Sequence, residues 1–560
     1  MANHFLERKY ILTTGVFLLF MILQLRGLRE PFLIGHQGFN GALRSTIGSN
    51  YLRYGFINTR LLPFKNYGTV KDGDLGRHGK VHWHHPPLIN ILTGVSFSIF
   101  GESESSARFF PLLSSIILFW LLFYYLNRHY GYSAAIFGCI FLSIFPMQIE
   151  YGKMPNYESL ILALTMLAIV SLDFRDKYPL PSALVFIISL LMAGFTDWPG
   201  FIIAGLIGFF ALFRKGNIKL FLITGILLST LLMFLFWWLN RYSEKDGLMG
   251  LARYRAGMGS IKVSYYQLFS RTLDRLMNYY GLFAVIPGFL LITWRVVTRG
   301  KSDIVIAVFS LSTILYFSVF KAGAYIHIFF LQYITPAVAV AAGISFSILI
   351  KIPEVFVQNT DGSEIVSFYE TKIKYVLFFS GVILFLPLFI TDYSGLINKA
   401  YLLSRGIRNY SKSQKLPYGG RSDIKYIGSF IRRISQPDDF IAVHKKSNSS
   451  PQLRYYIRRN TVRTWKLPAM MQKKASFYLI PRRILSKEKQ RRLSEKYKVY
   501  SILRYLVYDL RKGVRPKISG MELVQKPSHF FELWLQGGFS PVATITPSRE
   551  ATEEYRNWLK

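Results

Sequence analysis

Apolar residues in this chain come in long blocks, with little alternation or striping. The first block is Ile11–Leu25. A polar, glycine-rich interval from Arg26 to Phe110 follows, and within it only Leu88–Phe100 is apolar. Ten further blocks come next: Pro111–Leu126, Ser133–Pro146, Glu158–Leu172, Pro181–Phe195, Pro199–Phe213, Leu220–Leu239, Gly281–Trp294, Ile304–Phe320, Ile326–Ile350 and Tyr375–Ile390. Runs of Leu, Ile, Phe and Val with so few charges are lipid-facing helices before anything else. Several fall short of the ~20 residues a straight crossing needs. Flanking aromatics must extend them, or the pair around "TDWPG" forms a tight hairpin. The pattern predicts about eleven spans. No small-residue cleavage site follows Ile11–Leu25, so that block reads as a retained anchor rather than a removed signal peptide.

An odd number of spans puts the two termini on opposite sides. With the N-terminus in the cytoplasm, the short inner loops are basic: Arg128, Arg175 with Lys177, Arg214 with Lys215, and Arg295 with Arg299 and Lys301. One outer segment disagrees, because Asn240–Tyr280 carries Arg241, Lys245, Arg253, Arg255, Lys262, Arg271 and Arg275. In this orientation the Arg26–Phe110 interval and the tail lie outside. A connection of about 85 residues is long enough to carry function. Its segment Phe39–Tyr54 has helical spacing, with Ala42, Leu43, Ile47, Tyr51 and Leu52 apolar and Arg44 and Arg53 on another side. That pattern predicts a helix lying in the interface plane.

From about Thr391 the composition changes. "DDFIAV" and "TVRTW" predict short strands, and "SPQLRYYIRR" a helix capped by Ser450 with Pro451 at its first position. The expected division is a membrane domain over 1–391, with its first outer loop at 26–110, and a basic soluble α/β domain over 392–560. The tail holds about 35 basic against about 12 acidic residues, which gives it a positive field. The whole chain of 560 residues is 51% hydrophobic and 16% aromatic, and 68 Lys and Arg against 31 Asp and Glu leave a formal charge of +37. Such an excess suits lipid headgroups, polyprenyl phosphates or phosphorylated envelope glycans. Nucleic acid fits poorly, since the bulk of the chain belongs in a bilayer. Cys139 is the sole cysteine, so no intrachain disulfide forms.

Five strings, in order and on one face, carry a family resemblance. They are "NYLRYG" in the first outer loop, "HHPPL" before the Leu88–Phe100 segment, "FGESESSARFFPLL", "YGKMPNYESL" and "AYIHIFFLQYITPAVAVAAG". Together they resemble the polytopic glycosyltransferases of the GT-C type, especially the bacterial protein mannosyltransferase-like and aminoarabinose transferase-like enzymes. The resemblance implies an α-helical polytopic membrane protein with an outer soluble α/β domain in the bacterial inner membrane. It implies sugar transfer from a polyprenyl-phosphate donor to an envelope glycan, a lipid A-like glycolipid or a protein, without a cofactor. A polyprenyl-linked glycan ligase is the first alternative, although ligases usually carry their large loop late in the chain. A lipid or glycan transporter is the second; repeated halves with broken helices would mark one.

Such transfer needs a base near the attacking hydroxyl and cations near the departing phosphate. The family's expected base is an acidic residue just after the first span. Here "GHQGFN" stands at that place, with His36 and Gln37, and the nearest carboxylate is Glu30. Either His36 or Glu30 is the base, or the acceptor needs little help, or His36 is a turn residue between glycines. Glu158, at the outer end of a span, matches a position where similar enzymes place an acid lining the active site. A helix dipole alone would also favour it there. Asp197 in "FTDWPG" reads as a cap. The residue before "PPL" is often a lysine that meets the donor phosphate; His85 holds that position, with His84 before it. A zinc site built on His82 and His84 is the rival reading, but no cysteine accompanies them and His78, Asp72 and Asp74 are the nearest further ligands. No metal is therefore expected. Arg108 stands where the family commonly has Arg, or pairs with Glu104 four residues earlier. His327 and Tyr325, beside Lys321, complete the expected phosphate-binding set, while Gln332 and Tyr333 are expected to pack inside the bundle.

Overall fold

The computed structural model describes residues 2–32, 36–65, 81–212, 218–243, 247–259, 262–281, 290, 303–358, 423–436, 439–444, 450–464, 475–502, 505–511 and 522–523. In chain order the described helices are α1 (Ala2–Leu25), α2 (His36–Tyr54), α3 (Leu88–Phe100), α4 (Glu104–Tyr130), α5 (Tyr132–Ile144), α6 (Pro146–Tyr151), α7 (Glu158–Ser171), α8 (Pro179–Thr196) and α9 (Trp198–Leu212). They continue with α10 (Ile218–Asn240), α11 (Gly247–Arg253), α12 (Tyr265–Tyr280), α13 (Ile304–Val319), α14 (Lys321–Ile326), α15 (Thr335–Gln358), α16 (Asp423–Ile434), α17 (Ser450–Ile457) and α18 (Lys487–Lys496). The chain divides into two compact units. One comprises 1–28, 84–88 and 110–408; the other comprises 29–83, 89–109 and 409–560. The loop after the first helix and the tail thus fall in one unit.

In the helical unit the apolar blocks become helices within a few residues of their predicted bounds. By length and composition, Glu104–Tyr130, Pro179–Thr196, Ile218–Asn240 and the run Ile328–Ile348 could each cross a membrane. Lys9–Leu25, Tyr132–Ile144, Trp198–Phe210 and Ile304–Val319 are shorter apolar helices. Tyr375–Ile390 lies outside the described residues, and Gly281–Trp294 nearly so. Helices α5 and α15 approach closely. A Cβ on Gly343 would stand 2.5 Å from the Ala134 carbonyl oxygen, so only glycine lets these backbones meet, as small residues do in membrane bundles. The hairpin at "TDWPG" forms as expected, with Asp197 alone between α8 and α9. A Cβ on Gly200 would lie 2.1 Å from the Ala193 carbonyl oxygen.

Two expectations are corrected here. Ile326–Ile350 is not one helix: α14 stops at Ile326, a 3-10 stretch covers Ile328–Ile334, and α15 begins at Thr335. Pro336 has no N–H and its ring crowds the carbonyl four residues back, which favours starting a new helix there over continuing one. Asn240–Tyr280 is no plain loop either. It holds α11, a π-turn at Tyr254–Met258 and α12, whose start is a capping box between Ser264 and Gln267. Gly257 turns the chain at φ +88°.

In the second unit a six-stranded sheet has the order β2-β1-β3-β5-β4-β6. Its strands are β1 (Phe440–His444), β2 (Asn460–Thr464), β3 (Phe477–Pro481), β4 (Lys498–Ile502), β5 (Tyr505–Asp509) and β6 (Glu522–Leu523). β1 is parallel to β2 and β3, while β5 runs antiparallel to β3 and β4. Alternate residues point to opposite faces. Ile441, Val443, Phe477, Leu479 and Val507 pack with Ile427 and Ile431 of α16 and Leu453 and Ile457 of α17. Ala442, Tyr478, Ile480, Leu506 and Tyr508 pack toward Leu493 of α18. Strands β1 and β2 and helix α17 lie where the sequence predicts them, while β3 to β6 are not among the predicted strands.

The loop joins this body through Phe32, Ala42, Phe97 and Ala107, which cluster with Tyr455 and Tyr456. Helix α2 departs from the interfacial reading, because Gly38 and Asn40–Tyr51 are buried. Polar partners make this possible: Arg44 donates to Asn90 Oδ1 at 3.4 Å, and Asn50 to the Phe64 carbonyl at 2.7 Å.

Candidate active site

Charged side chains of the helical unit gather where several helices end. Glu158 opens α7 and is 1% exposed, and its Oε1 accepts a hydrogen bond from Asn156 Nδ2 at 3.0 Å. The preceding Tyr157 stacks on the His85 ring with centroids 4.7 Å apart. Ser159 donates to the Gly152 carbonyl and accepts from Gln332 Nε2 at 3.1 Å. Gln332 and Tyr333 are buried, as expected. Glu158, Asp197 and Arg255 all lie within electrostatic reach of the Tyr316 hydroxyl, and Glu158 and Asp197 within that of Tyr333.

His85 is the hub. Its Nδ1 lies 2.7 Å from Asp197 Oδ1, and its Nε2 lies 2.9 Å from Arg255 Nη2. Arginine donates and never accepts, so Nε2 is the acceptor and the ring proton sits on Nδ1, donated to Asp197. One sequence reading is thereby extended and one corrected. Asp197, 1% exposed, gives a carboxylate oxygen to a ring 112 positions away. His85 has both ring nitrogens engaged by protein, so it does not stand as a lysine-like donor to a phosphate. Arg255 was counted only among the cations that spoil the charge rule of Asn240–Tyr280. That anomaly was the signal for it. Its guanidinium is half-buried.

His84 is half-buried, lies tilted against His85 with ring centroids 4.8 Å apart and accepts from Trp198 Nε1 on its carbonyl at 2.8 Å. Tyr325 and His327 do not open a helix: Tyr325 is in the last turn of α14, and His327 follows it in extended backbone. Arg275 donates to the Ala324 and Tyr325 carbonyls at 2.7 and 2.8 Å, tying down the orphan carbonyls of that helix end. Burial first, and then the neighbouring Arg271, push the Arg275 pKa down to about 10, so it stays cationic at neutral pH. Arg271 lies over the Tyr325 ring at 4.3 Å, and Lys321 over the Tyr265 ring at 4.8 Å.

Glu30, His36 and Arg108 belong to the other unit. Glu30 and His36 are half-buried, and His36 is the first residue of α2. Arg108 does not pair with Glu104: it donates to the Glu30 carbonyl at 2.7 Å and lies over the Phe32 ring at 5.0 Å. Glu104 instead receives Lys425 Nζ at 2.9 Å and the Tyr456 hydroxyl at 3.0 Å. Burial, and then the Glu104 charge, hold the Tyr456 phenol well above its usual range. Arg108 thus braces its own loop. Of the zinc alternative, His78, Asp72 and Asp74 lie outside the described residues.

Comparisons place this geometry. Residues 84–239 match the family model for dolichyl-phosphate-mannose-protein mannosyltransferase. No curated protein sequence matches the chain. Among solved structures, ArnT from Cupriavidus metallidurans bound to undecaprenyl phosphate matches with a TM-score of 0.58 at 12% identity, covering 91% of this chain and 99% of that one. The archaeal oligosaccharyltransferase AglB from Archaeoglobus fulgidus, in complex with an inhibitory peptide and a dolichol-phosphate, matches at 0.52 and 10% identity, covering 92% of this chain and 75% of that one. At such identities the likeness is one of fold. The chain has the architecture of the GT-C polytopic glycosyltransferases, the fold that the resemblance read from the sequence implies.

Proposed function

We propose that this chain is a membrane glycosyltransferase that takes a sugar from a polyprenyl-phosphate donor and passes it to an acceptor on the extracytoplasmic face. The observation that carries this reading is the buried Glu158 and the Asp197–His85–Arg255 cluster at one end of a helical bundle. Ionisable groups held at membrane depth are functional by default, and here acid and cation stand together. In the reaction an acceptor oxygen attacks the anomeric carbon as the carbon–oxygen bond to the lipid phosphate breaks. The electron pair leaves with the phosphate, and a base takes the acceptor's proton. We assign Glu158 to the catalytic machinery and the phosphate charge to the cation-rich end that holds Arg255, with His84, His327 and Tyr325 as further candidates there. Glu30 and His36 keep the candidacy as base that their sequence position gives them.

The outer orientation gains support from the same residues. Arg255, Arg271 and Arg275 have structural partners in the helical unit, so the basic Asn240–Tyr280 segment ceases to count as a topological signal. The basic tail over 392–560 would then be an extracytoplasmic α/β domain of an inner-membrane protein, suited to an acidic or phosphorylated glycan. The likeness of fold to an oligosaccharyltransferase keeps block transfer of a glycan as a second reading. The test is turnover by the purified full chain, offered polyprenyl-phosphate monosaccharides, polyprenyl-linked oligosaccharides and nucleotide sugars. Transfer from the first class is expected. Transfer from nucleotide sugars alone would overturn the reading.

A further inference from the structure

At the position where the family resemblance implies a lysine, this chain has an imidazole with both nitrogens engaged, and the cation stands one bond further out. We propose that Asp197 and His85 are positioning residues that hold Arg255, through the Nε2 acceptor of a neutral His85, toward the phosphate of a polyprenyl phosphate. This rests on the functional reading above and goes beyond it, because it makes phosphate affinity depend on a hydrogen-bond relay.

The geometry sets the direction of every bond. Asp197 can only accept, so it fixes the His85 proton on Nδ1; that leaves Nε2 with a lone pair, and Arg255 Nη2 donates into it at 2.9 Å. His85 and Asp197 are 6% and 1% exposed, so solvent does not compete for either bond. A guanidinium has five donors, of which this contact uses one. Arg255 is a half-buried residue rather than a buried one, and a guanidinium fork that an anion reaches is met bidentately. Gly257, two residues on, supplies the turn. Its φ is +88°, and a Cβ there would stand 2.9 Å from Lys321 Cε. The charged and titratable groups around the ring are Asp197 from the α8–α9 turn, Arg255 from the π-turn, Tyr157 stacked on one face, and His84 and His82, whose ring nitrogens lie within 4.8 Å of those of His85. Glu158 stands beside Tyr157 in the chain.

Protonation of His85 would turn Nε2 into a donor facing another donor, and Arg255 would lose its anchor. An Asp197→Asn amide would do the same at neutral pH. Its NH2 would donate to Nδ1, move the ring proton to Nε2, and so reverse the bond on which Arg255 depends, as carboxylate-to-amide changes do in other His-centred relays. His85→Gln offers an amide oxygen to Arg255 and does not titrate, which makes it the rescuing variant.

The experiment is equilibrium binding of undecaprenyl phosphate to the full chain in nanodiscs, from pH 5.5 to 7.5, with thermal unfolding of each variant alongside. At pH 7.5 Arg255→Ala should weaken binding ~30-fold and Asp197→Asn ~10-fold, the scale of a charge-assisted contact. His85→Gln should stay within ~3-fold of wild type at pH 7.5, because its amide oxygen accepts from Arg255 as Nε2 does. Toward pH 5.5 the wild type should lose ~10-fold more affinity than His85→Gln, since the ligand's own phosphate ionisation is common to both. Asp197→Asn binding like wild type, or wild type and His85→Gln weakening in parallel, would overturn the relay while leaving the donor class intact. If Asp197→Asn fails to fold, the pH comparison with His85→Gln decides alone. No binding by wild type would remove the functional reading and the relay with it.

Discussion

The helical unit places a buried carboxylate cluster at each end of the same helices, and the two are built in opposite ways. At one end Asp303 caps α13: its Oδ1 accepts from the Ile306 N–H at 2.8 Å, and its Oδ2 accepts the Tyr125 and Tyr130 hydroxyls at 2.7 and 2.5 Å. The neutral donors all converge on the acid, and the charge is used up inside the protein. Past the other end of α13, Asp197 gives its oxygen to His85, and His85 passes the polarity on to Arg255, which is still partly open. Helix α7 repeats the contrast, with Glu158 at its first turn and Asp173, just beyond its end, paired to His129 at 2.9 Å. A closed cluster serves stability; in the reading proposed above, a cluster that hands its charge outward serves a ligand. Burial alone does not tell the two apart, because Asp197 and Asp303 are both buried.

Substitution should separate them. The largest effect is expected from Glu158→Gln, which keeps shape and removes charge. Turnover should fall about 10³-fold, or about 4 kcal/mol in the barrier, with undecaprenyl phosphate binding nearly unchanged. Comparable turnover in wild type and variant would assign Glu158 to the helix dipole instead. Next comes the closed end. Asp303→Ala takes the partner from the buried Tyr125 phenol and the half-buried Tyr130 phenol and removes a cap, so thermal unfolding should show a loss of about 3 kcal/mol, with phosphate affinity of the folded protein intact. A phosphate-binding defect there would erase the distinction between the ends. Third is Arg255→Ala, whose expected ~30-fold loss of affinity corresponds to about 2 kcal/mol and should leave unfolding nearly unmoved.

What the sequence conveyed follows the same line. Apolar blocks are a local property, so the helices, the Asp197 hairpin and the β1, β2 and α17 segments could be read directly. Pairings across the chain could not. Arg44 and Asn50 looked like the wet side of an interfacial helix because Asn90 and the Phe64 carbonyl, their partners, lie 46 and 14 positions away. Asp197 read as a cap because turn acids usually are caps, and nothing near it in sequence announces His85. Arg108 four residues after Glu104 invited a pair that Lys425 and Tyr456 supply instead. The Arg-rich Asn240–Tyr280 segment was visible only as a violation of the charge rule. Such a violation is worth treating as a pointer: cations placed against topology need another reason to be there.

The smallest effect sharpens the comparison most. His129 and Asp173 form a His–carboxylate contact of the same type as His85 and Asp197, at 2.9 against 2.7 Å. If the His–carboxylate contact itself mattered, both should respond alike to loss of the ring. They differ in what surrounds them: the His129 side chain is 32% exposed against 7% for His85, and water can replace the lost partner of Asp173. His129→Ala should therefore change stability by less than about 0.5 kcal/mol, as partly exposed pairs generally do. Its undecaprenyl phosphate affinity should keep the wild-type pH profile. A shift in that profile would mean that a distant imidazole reports on ligand binding, and the special place given to His85 would then rest on its position next to the prolines and not on its bond to Arg255.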